Sequence, residues 1–245
     1  MPPAFTFAAR LRVESGASLP YLVWVFDEPM CMVSTASVGG GFGERRWIVN
    51  AQVADGYART DLAAHVGELL EHADLGHHDT GREHQGIGLL TAADVDAVEH
   101  RVDDGVEVWA TTGIRIPTWA AAAPDANDPH PRAGIGTINI VAVLPESVHS
   151  GAMVNLVATV AEAKAQALIE LGVPGTGTAT DAVVVAAPIE PPSRSSDHDG
   201  ATARSVFGGP RSHWGSRVAR ATHGAVRAGA LDSISRLHAA GVDWS

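Results

Sequence analysis

The chain has one cysteine, Cys31, in 245 residues. That excludes an internal disulfide and a cysteine-based zinc site of the ordinary kind. Positive charge is also scarce: 17 Lys and Arg stand against 28 Asp and Glu, a formal charge of −11. No Lys/Arg run is clustered, so nucleic acid is not expected as a partner. The N-terminal stretch "MPPAFTFAARLRVESG" lacks a basic head followed by an apolar segment, so no signal peptide is expected. No apolar run approaches the ~20 residues of a membrane helix. The expectation is a soluble, cytoplasmic protein with no membrane partner. Internal repeats are absent too.

What is present is 45% hydrophobic and of a length that suits one large domain or two small ones. "PYLVWVF" (20–26), "MCMVSTASV" (30–38) and "RRWIVN" (45–50) read as strands, split by "DEP" and by a glycine cluster. "TDLAAHVGELLEHA" has a helical pattern with Thr60 or Asp61 as N-cap, and "TAADVDAVEHR" another with Thr91 as N-cap. Residues 105–113 and 135–144 read as strands. Residues 150–171 form the clearest helix, closed by Gly172 and Pro174. From Arg211 onward, two helices broken near Gly229 are expected. Strands first, then strand–helix–strand, predict an α/β fold: a single domain over 1–245 with a mixed β-sheet flanked by helices.

"GTGTATDAVVVAAP" (175–188) holds a Gly/Thr-rich loop of the sort that cradles phosphate. A phosphate loop follows a strand and opens a helix, whereas this loop precedes a valine-rich run stopped by Pro188. No lysine follows the glycines. Hydroxyls ending in one carboxylate, Asp181, suit the rim of a pocket for a neutral polar ligand.

On helix 150–171, Asn155, Thr159, Glu162 and Gln166 share one narrow face, with Met153, Val157, Val160, Leu168 and Leu171 roughly opposite. A solvated face is the ordinary account of such a stripe. Its amides, hydroxyl and carboxylate are also the inventory for an amide-studded ligand. Lys164, on the apolar side, reads as a stem that snorkels its ammonium outward. Strand 135–144, the helix and strand 182–187 form a β–α–β unit, so the two strands should be parallel and start at one end of the sheet. Thr137 and Asn139 would then lie near Thr180 and Asp181. The returning helix would bring Glu162 and Gln166 there. Thr111 and Thr112 would join them if strand 106–113 is antiparallel to strand 135–144.

Two histidine segments offer further chemistry. The loop "HADLGHHDTGREH" carries His72, His77, His78 and His84 without the spacing of a known ligand pair, so a polar surface loop is expected. In "GGPRSHWG" (208–215), Ser212 or His213 could start a helix at a pocket mouth, with a capping serine and a packing histidine as the alternative.

These segments resemble the adenosylcobinamide amidohydrolase (CbiZ-type) family. The resemblance rests on "WIVNAQV", "GIGLLTAADV", "VWATTG", "GTINIVAVLPESVHSGAMVNLVATVAEAKAQAL", "GTGTATDAVVVAAP" and "FGGPRSHWGSRVARATHGAV", in the family's order. It is weak over 1–40 and 189–203. It implies cleavage of the amide joining aminopropanol to the corrinoid side chain, giving adenosylcobyric acid for corrinoid salvage in cobamide (vitamin B12) biosynthesis. It carries no nucleophile motif, so the roles below are argued from chemistry. Glu162 or Asp181 would serve as base, Thr111 or Thr112 as nucleophile or oxyanion donor, Asn139 as amide donor and His213 as acid. Asn50, Thr111, Thr137, Asn139, Asn155, Thr159, Thr180 and Ser212 would bind the corrinoid substrate. No cofactor and no metal are expected. The alternatives are a non-catalytic corrinoid-binding protein and a metal-dependent hydrolase built on the histidine-rich loop.

Overall fold

The computed structural model describes residues 2–73, 86–123, 136–189 and 206–242. Eight strands make one mixed sheet: β1 (Phe5–Glu14), β2 (Ala17–Ser34), β3 (Gly41–Gln52), β4 (Gly86–Thr91), β5 (Glu99–Asp103), β6 (Val106–Gly113), β7 (Thr137–Val143) and β8 (Ala182–Pro188). Helices α1 (Leu62–His72), α2 (Ser150–Glu170) and α3 (His213–Ala239) flank it. The strand order is β4-β3-β2-β8-β7-β6-β5, with β1 paired to β2. This is the single-domain α/β architecture that the element order predicts. β6 runs antiparallel to β7, and the crossover unit β7–α2–β8 leaves its two strands parallel.

Alternation along each strand sorts the core into layers. On β6, β7 and β8, Val108, Ile140, Val183 and Val185 face α2 and α3. Their neighbours Trp109, Val141, Val143 and Val184 face the other way and meet Leu22, Trp24, Ile48 and Leu89 of β2–β4. Trp24 and Trp109 meet edge to face at 5.7 Å. The far side of β2 and β3 is covered by Val66, Leu69 and Leu70 of α1. The sheet therefore curls on itself, and its two halves enclose an inner core between α1 and the α2/α3 pair.

Several expected elements take another form. The strands expected at 20–26 and 30–38 are one continuous β2, which crosses "DEP" through a register shift between Val25 and Met30. That irregularity lets a single strand serve both halves of the curl. β1 has no counterpart in the sequence reading. The helix expected at 91–101 is β4, a three-residue 3₁₀ turn (Val95–Ala97) and β5. There Thr91 Oγ1 accepts from the Ala93 N–H at 2.9 Å and fixes a turn, where a helix N-cap was expected. Asp61 stands at the N-cap of α1, but its side chain makes no cap bond. The break expected near Gly229 is absent, because α3 is one 27-residue helix. A Cβ on Gly229 would lie 2.7 Å from Thr112 Oγ1, so this glycine serves close approach of α3 to β6.

α2 corrects one further expectation. Its 21 residues contain an 18-residue window of mean hydropathy 1.2, long and apolar enough to cross a membrane. Its apolar side, with Met153, Leu156, Val160 and Leu168, is instead spent on the protein core.

Candidate active site

A cavity of about 550 Å³ opens between the two halves of the curled sheet. Residues 35–38, 53–57 and 88–92, at the C-terminal ends of β2, β3 and β4, form one side. Thr137 and Asn139 of β7 and residues 179–182 leading into β8 form the other. The crossover makes this possible, since parallel β7 and β8 begin at the same end.

Three buried side chains tie the halves together behind the cavity. Asn50 of β3 donates through Nδ2 to Thr111 Oγ1 of β6 at 3.0 Å. Asn139 of β7 donates through Nδ2 to Asn50 Oδ1 at 2.9 Å. Thr111 and Asn139 are register partners, so the pleat turns both to the inner face. Asn139 is 2% exposed, and its Oδ1 has no hydrogen-bond partner. A buried acceptor left so costs about 1–3 kcal/mol.

At the strand starts, the Thr137 and Thr180 hydroxyls are 2.7 Å apart, and Thr180 also donates to the Gly136 carbonyl at 3.0 Å. Asp181 next to them is saturated. Its Oδ1 accepts from the Ile138 N–H at 2.9 Å and the Thr178 hydroxyl at 2.5 Å. Its Oδ2 accepts from Lys164 Nζ at 2.5 Å and the Thr178 N–H at 3.0 Å. The lone pairs that a general base would use are engaged, one of them by an ammonium. The geometry makes Asp181 a clamp that holds the Gly/Thr-rich loop to β7 and α2. Lys164 accordingly turns inward, not outward as its snorkelling stem suggested.

The single cleft expected to hold Thr112, Asn139, Glu162 and Asp181 is only half assembled. Asn139 and Asp181 meet, together with Thr137 and Thr180. Thr112 lies on the opposite face of β6, where its buried Oγ1 packs toward Gly229 of α3. Glu162 is exposed on α2, as are Asn155 and Gln166. The reason is that α2 lies on the outer face of β7 and β8, so its polar stripe, opposite the buried one, meets solvent. The ordinary account of the stripe was the right one there. Thr159, the buried exception, donates to the Gly208 carbonyl at 2.8 Å and anchors the segment before α3.

"GGPRSHWG" is a helix start. Ser212 Oγ caps α3 by accepting from the Gly215 N–H at 3.0 Å, and it donates to the Gly209 carbonyl at 2.8 Å. His213, the first helical residue, packs edge to face on Trp214. With Asn155 it borders a separate surface depression that contains none of the cavity residues. His77, His78 and His84 lie outside the described residues. Among the described residues, no group of three His, Cys, Asp or Glu side chains is placed to hold a metal ion.

A solvent-facing Glu162 has a direct consequence. Glu162→Gln should keep any turnover within about twofold of the unmodified protein, measured as kcat. A loss of a hundredfold or so would return it to the list of bases.

The sequence reading missed several cavity residues with chemistry, Thr35, Ser37, Asp55 and Tyr57, of which Tyr57 has the most built surroundings. It lines the cavity from the segment after β3, and its hydroxyl lies 2.8 Å from Nδ1 of His65 on α1. "TDLAAHVGELLEHA" signals only an amphipathic helix. A histidine on its buried face was the available hint.

The sequence model of the CbiZ family, adenosylcobinamide amidohydrolase, matches residues 4–237. An adenosylcobinamide amidohydrolase of Methanosarcina mazei is 30% identical over 149 residues, covering 61% of this chain and 68% of that protein. One of Halobacterium salinarum is 36% identical over 141 residues, covering 56% of this chain and 54% of that protein. Among solved structures, an L-aminopeptidase D-Ala-esterase/amidase from Ochrobactrum anthropi superposes with a TM-score of 0.44 at 12% identity, over 94% of this chain and 83% of that one.

Proposed function

Because the chain belongs to the adenosylcobinamide amidohydrolase family, we propose that it hydrolyses the amide joining aminopropanol to the corrinoid side chain of adenosylcobinamide. The products are adenosylcobyric acid and free aminopropanol. A salvage role in cobamide synthesis, in the cytoplasm, belongs to the same proposal.

The observation that carries it is Asn139. Asn139 lines the cavity and its buried Oδ1 has no partner, so a small turn of the amide would present an acceptor to a substrate amide N–H. A corrinoid side arm supplies that group. A cavity of about 550 Å³ holds an arm or a nucleoside, not the whole macrocycle. The proposed pose keeps the corrin ring over the mouth, with one arm inserted between the sheet halves.

Hydrolysis needs a water delivered to the carbonyl carbon, donors for the developing oxyanion and a proton for the departing amine. At the start of β7 and β8 the Thr180 proton goes to the Gly136 carbonyl and the Thr137 proton to Thr180, so Thr137 becomes the oxyanion donor by turning its hydroxyl from Thr180 to the substrate. Asn139, held by Asn50 and Thr111, fixes the arm. Asp181 acts through others: by holding the Ile138 N–H and the Thr178 loop it positions the threonines. Thr112, Glu162, Asn155, Thr159, Ser212 and His213 have no part in the proposed chemistry.

Incubation of the purified chain with adenosylcobinamide, followed by mass spectrometry, tests this reading. Loss of aminopropanol from the corrinoid is the expected outcome. Tight binding with aminopropanol retained would mark a corrinoid-binding protein without chemistry.

A further inference from the structure

His65 is 1% exposed on a helix whose other buried residues are Val66, Leu69 and Leu70. Both of its ring nitrogens are engaged. Nδ1 lies 2.8 Å from the Tyr57 hydroxyl, and Nε2 lies 3.2 Å from Glu14 Oε2 at the end of β1. Arg12, itself buried, forks onto the same Glu14 oxygen at 2.9 and 2.7 Å and donates to the Gln52 carbonyl at 2.8 Å. Tyr57 stacks on the His65 ring at 5.4 Å and also lines the cavity. A hydroxyl, a buried imidazole and a partly exposed carboxylate thus form one hydrogen-bonded line that starts at a cavity-lining residue. The sequence places these residues 51 and 8 positions apart, and only the fold brings them together.

The protons along this line follow from its far end. Burial alone would push the Glu14 carboxyl up, but the Arg12 fork and His65 outweigh it and hold the carboxyl below its ordinary value. Ionised Glu14 only accepts, so the imidazole carries its proton on Nε2 and accepts at Nδ1. Tyr57 then donates to Nδ1 and keeps its oxygen lone pairs for the cavity. Burial pushes the Tyr57 phenol up, so the hydroxyl stays protonated at neutral pH. A base oriented by a third group, against a hydroxyl in a substrate cavity, is the arrangement that moves protons in acyl transfer.

We propose that Tyr57 is a catalytic residue of this enzyme, a proton relay backed by His65 and Glu14 as positioning residues. The assignment rests on the amidohydrolase reading above. As water oxygen bonds to the amide carbonyl carbon, the water proton passes to the Tyr57 oxygen, and the Tyr57 proton passes to His65 Nδ1. The resulting imidazolium faces the Glu14 carboxylate. As the carbon–nitrogen bond breaks, the proton returns through Tyr57 to the leaving amine. One water is consumed, and one carboxylic acid and one amine are released. A simple staple of α1 onto β1 would account for His65 with Glu14, but it has no use for a phenol hydroxyl on the cavity wall.

The test compares unmodified enzyme, Tyr57→Phe and Glu14→Gln on adenosylcobinamide, with aminopropanol release read by mass spectrometry and folding by circular dichroism. Tyr57→Phe keeps the ring stack and loses only the hydroxyl. Its kcat should fall on the order of 10²–10⁴-fold, with KM within about threefold. Glu14→Gln, if His65 is positioned by the carboxylate, should lower kcat by roughly tenfold or more at similar KM. The charged groups around His65 are Glu14 and Arg12 on β1, Arg59 and Asp61 before α1, and Glu68 within it. Unmodified enzyme that cleaves while folded Tyr57→Phe keeps its kcat overturns the relay and leaves the amidohydrolase reading standing. Unmodified enzyme that releases no aminopropanol overturns both.

Discussion

Asp181→Asn is expected to cost the folded protein about 3–5 kcal/mol, the usual result of removing one partner of a buried ion pair. The Asp181 and Lys164 side chains are 10% and 14% exposed, so little water reaches an ammonium left without its carboxylate. The asparagine also turns one acceptor into a donor, facing either the Ile138 N–H or the Thr178 N–H. Urea unfolding measures the change. Lys164→Met in the Asp181→Asn background should recover part of it, since the stranded charge goes with the lysine. A loss below about 1 kcal/mol would mean that the pair behaves as a surface contact and would remove the clamp from the account of the site.

Asn139→Ala is expected to leave a folded protein whose kcat/KM on adenosylcobinamide is lower by roughly 10–100-fold. That range is a loss of about 1.4–2.8 kcal/mol of substrate interaction. The cavity would lose its unpaired acceptor, and Asn50 Oδ1 would lose its donor. Asn139→Ala with Asn50→Ala should add little beyond the single change, because both act through one network. Unchanged kcat/KM in a folded Asn139→Ala protein would place the substrate elsewhere.

The corrections to the candidate site have a common origin. Thr111 and Thr112 are adjacent threonines at one strand end, and chemistry alone gives no preference between them. Pleat parity does: Thr111 shares the face of Trp109 and registers with Asn139, while Thr112 shares the face of Val108 and Ala110. Alternation was visible, but which face would hold a cavity was not. Glu162 fails for the same reason one layer out. The stripe on α2 was read correctly as a stripe, and the layering of α2 outside the sheet sent it to solvent.

Residue order by itself determined the α/β class, the β7–α2–β8 crossover and the meeting of Thr137, Asn139, Thr180 and Asp181 at one sheet end. These follow from local periodicity, turn residues and the handedness of a crossover, all of which act over short stretches of chain. The family was also legible, since its segments keep their order. The tertiary structure alone decided the curl that faces β2–β4 toward β6–β8, the saturation of Asp181 by Lys164, and the line from Tyr57 through His65 to Glu14. Each depends on which face of an element is covered by a partner distant in sequence. No local propensity encodes that, because it is set by how the layers bury their apolar faces together.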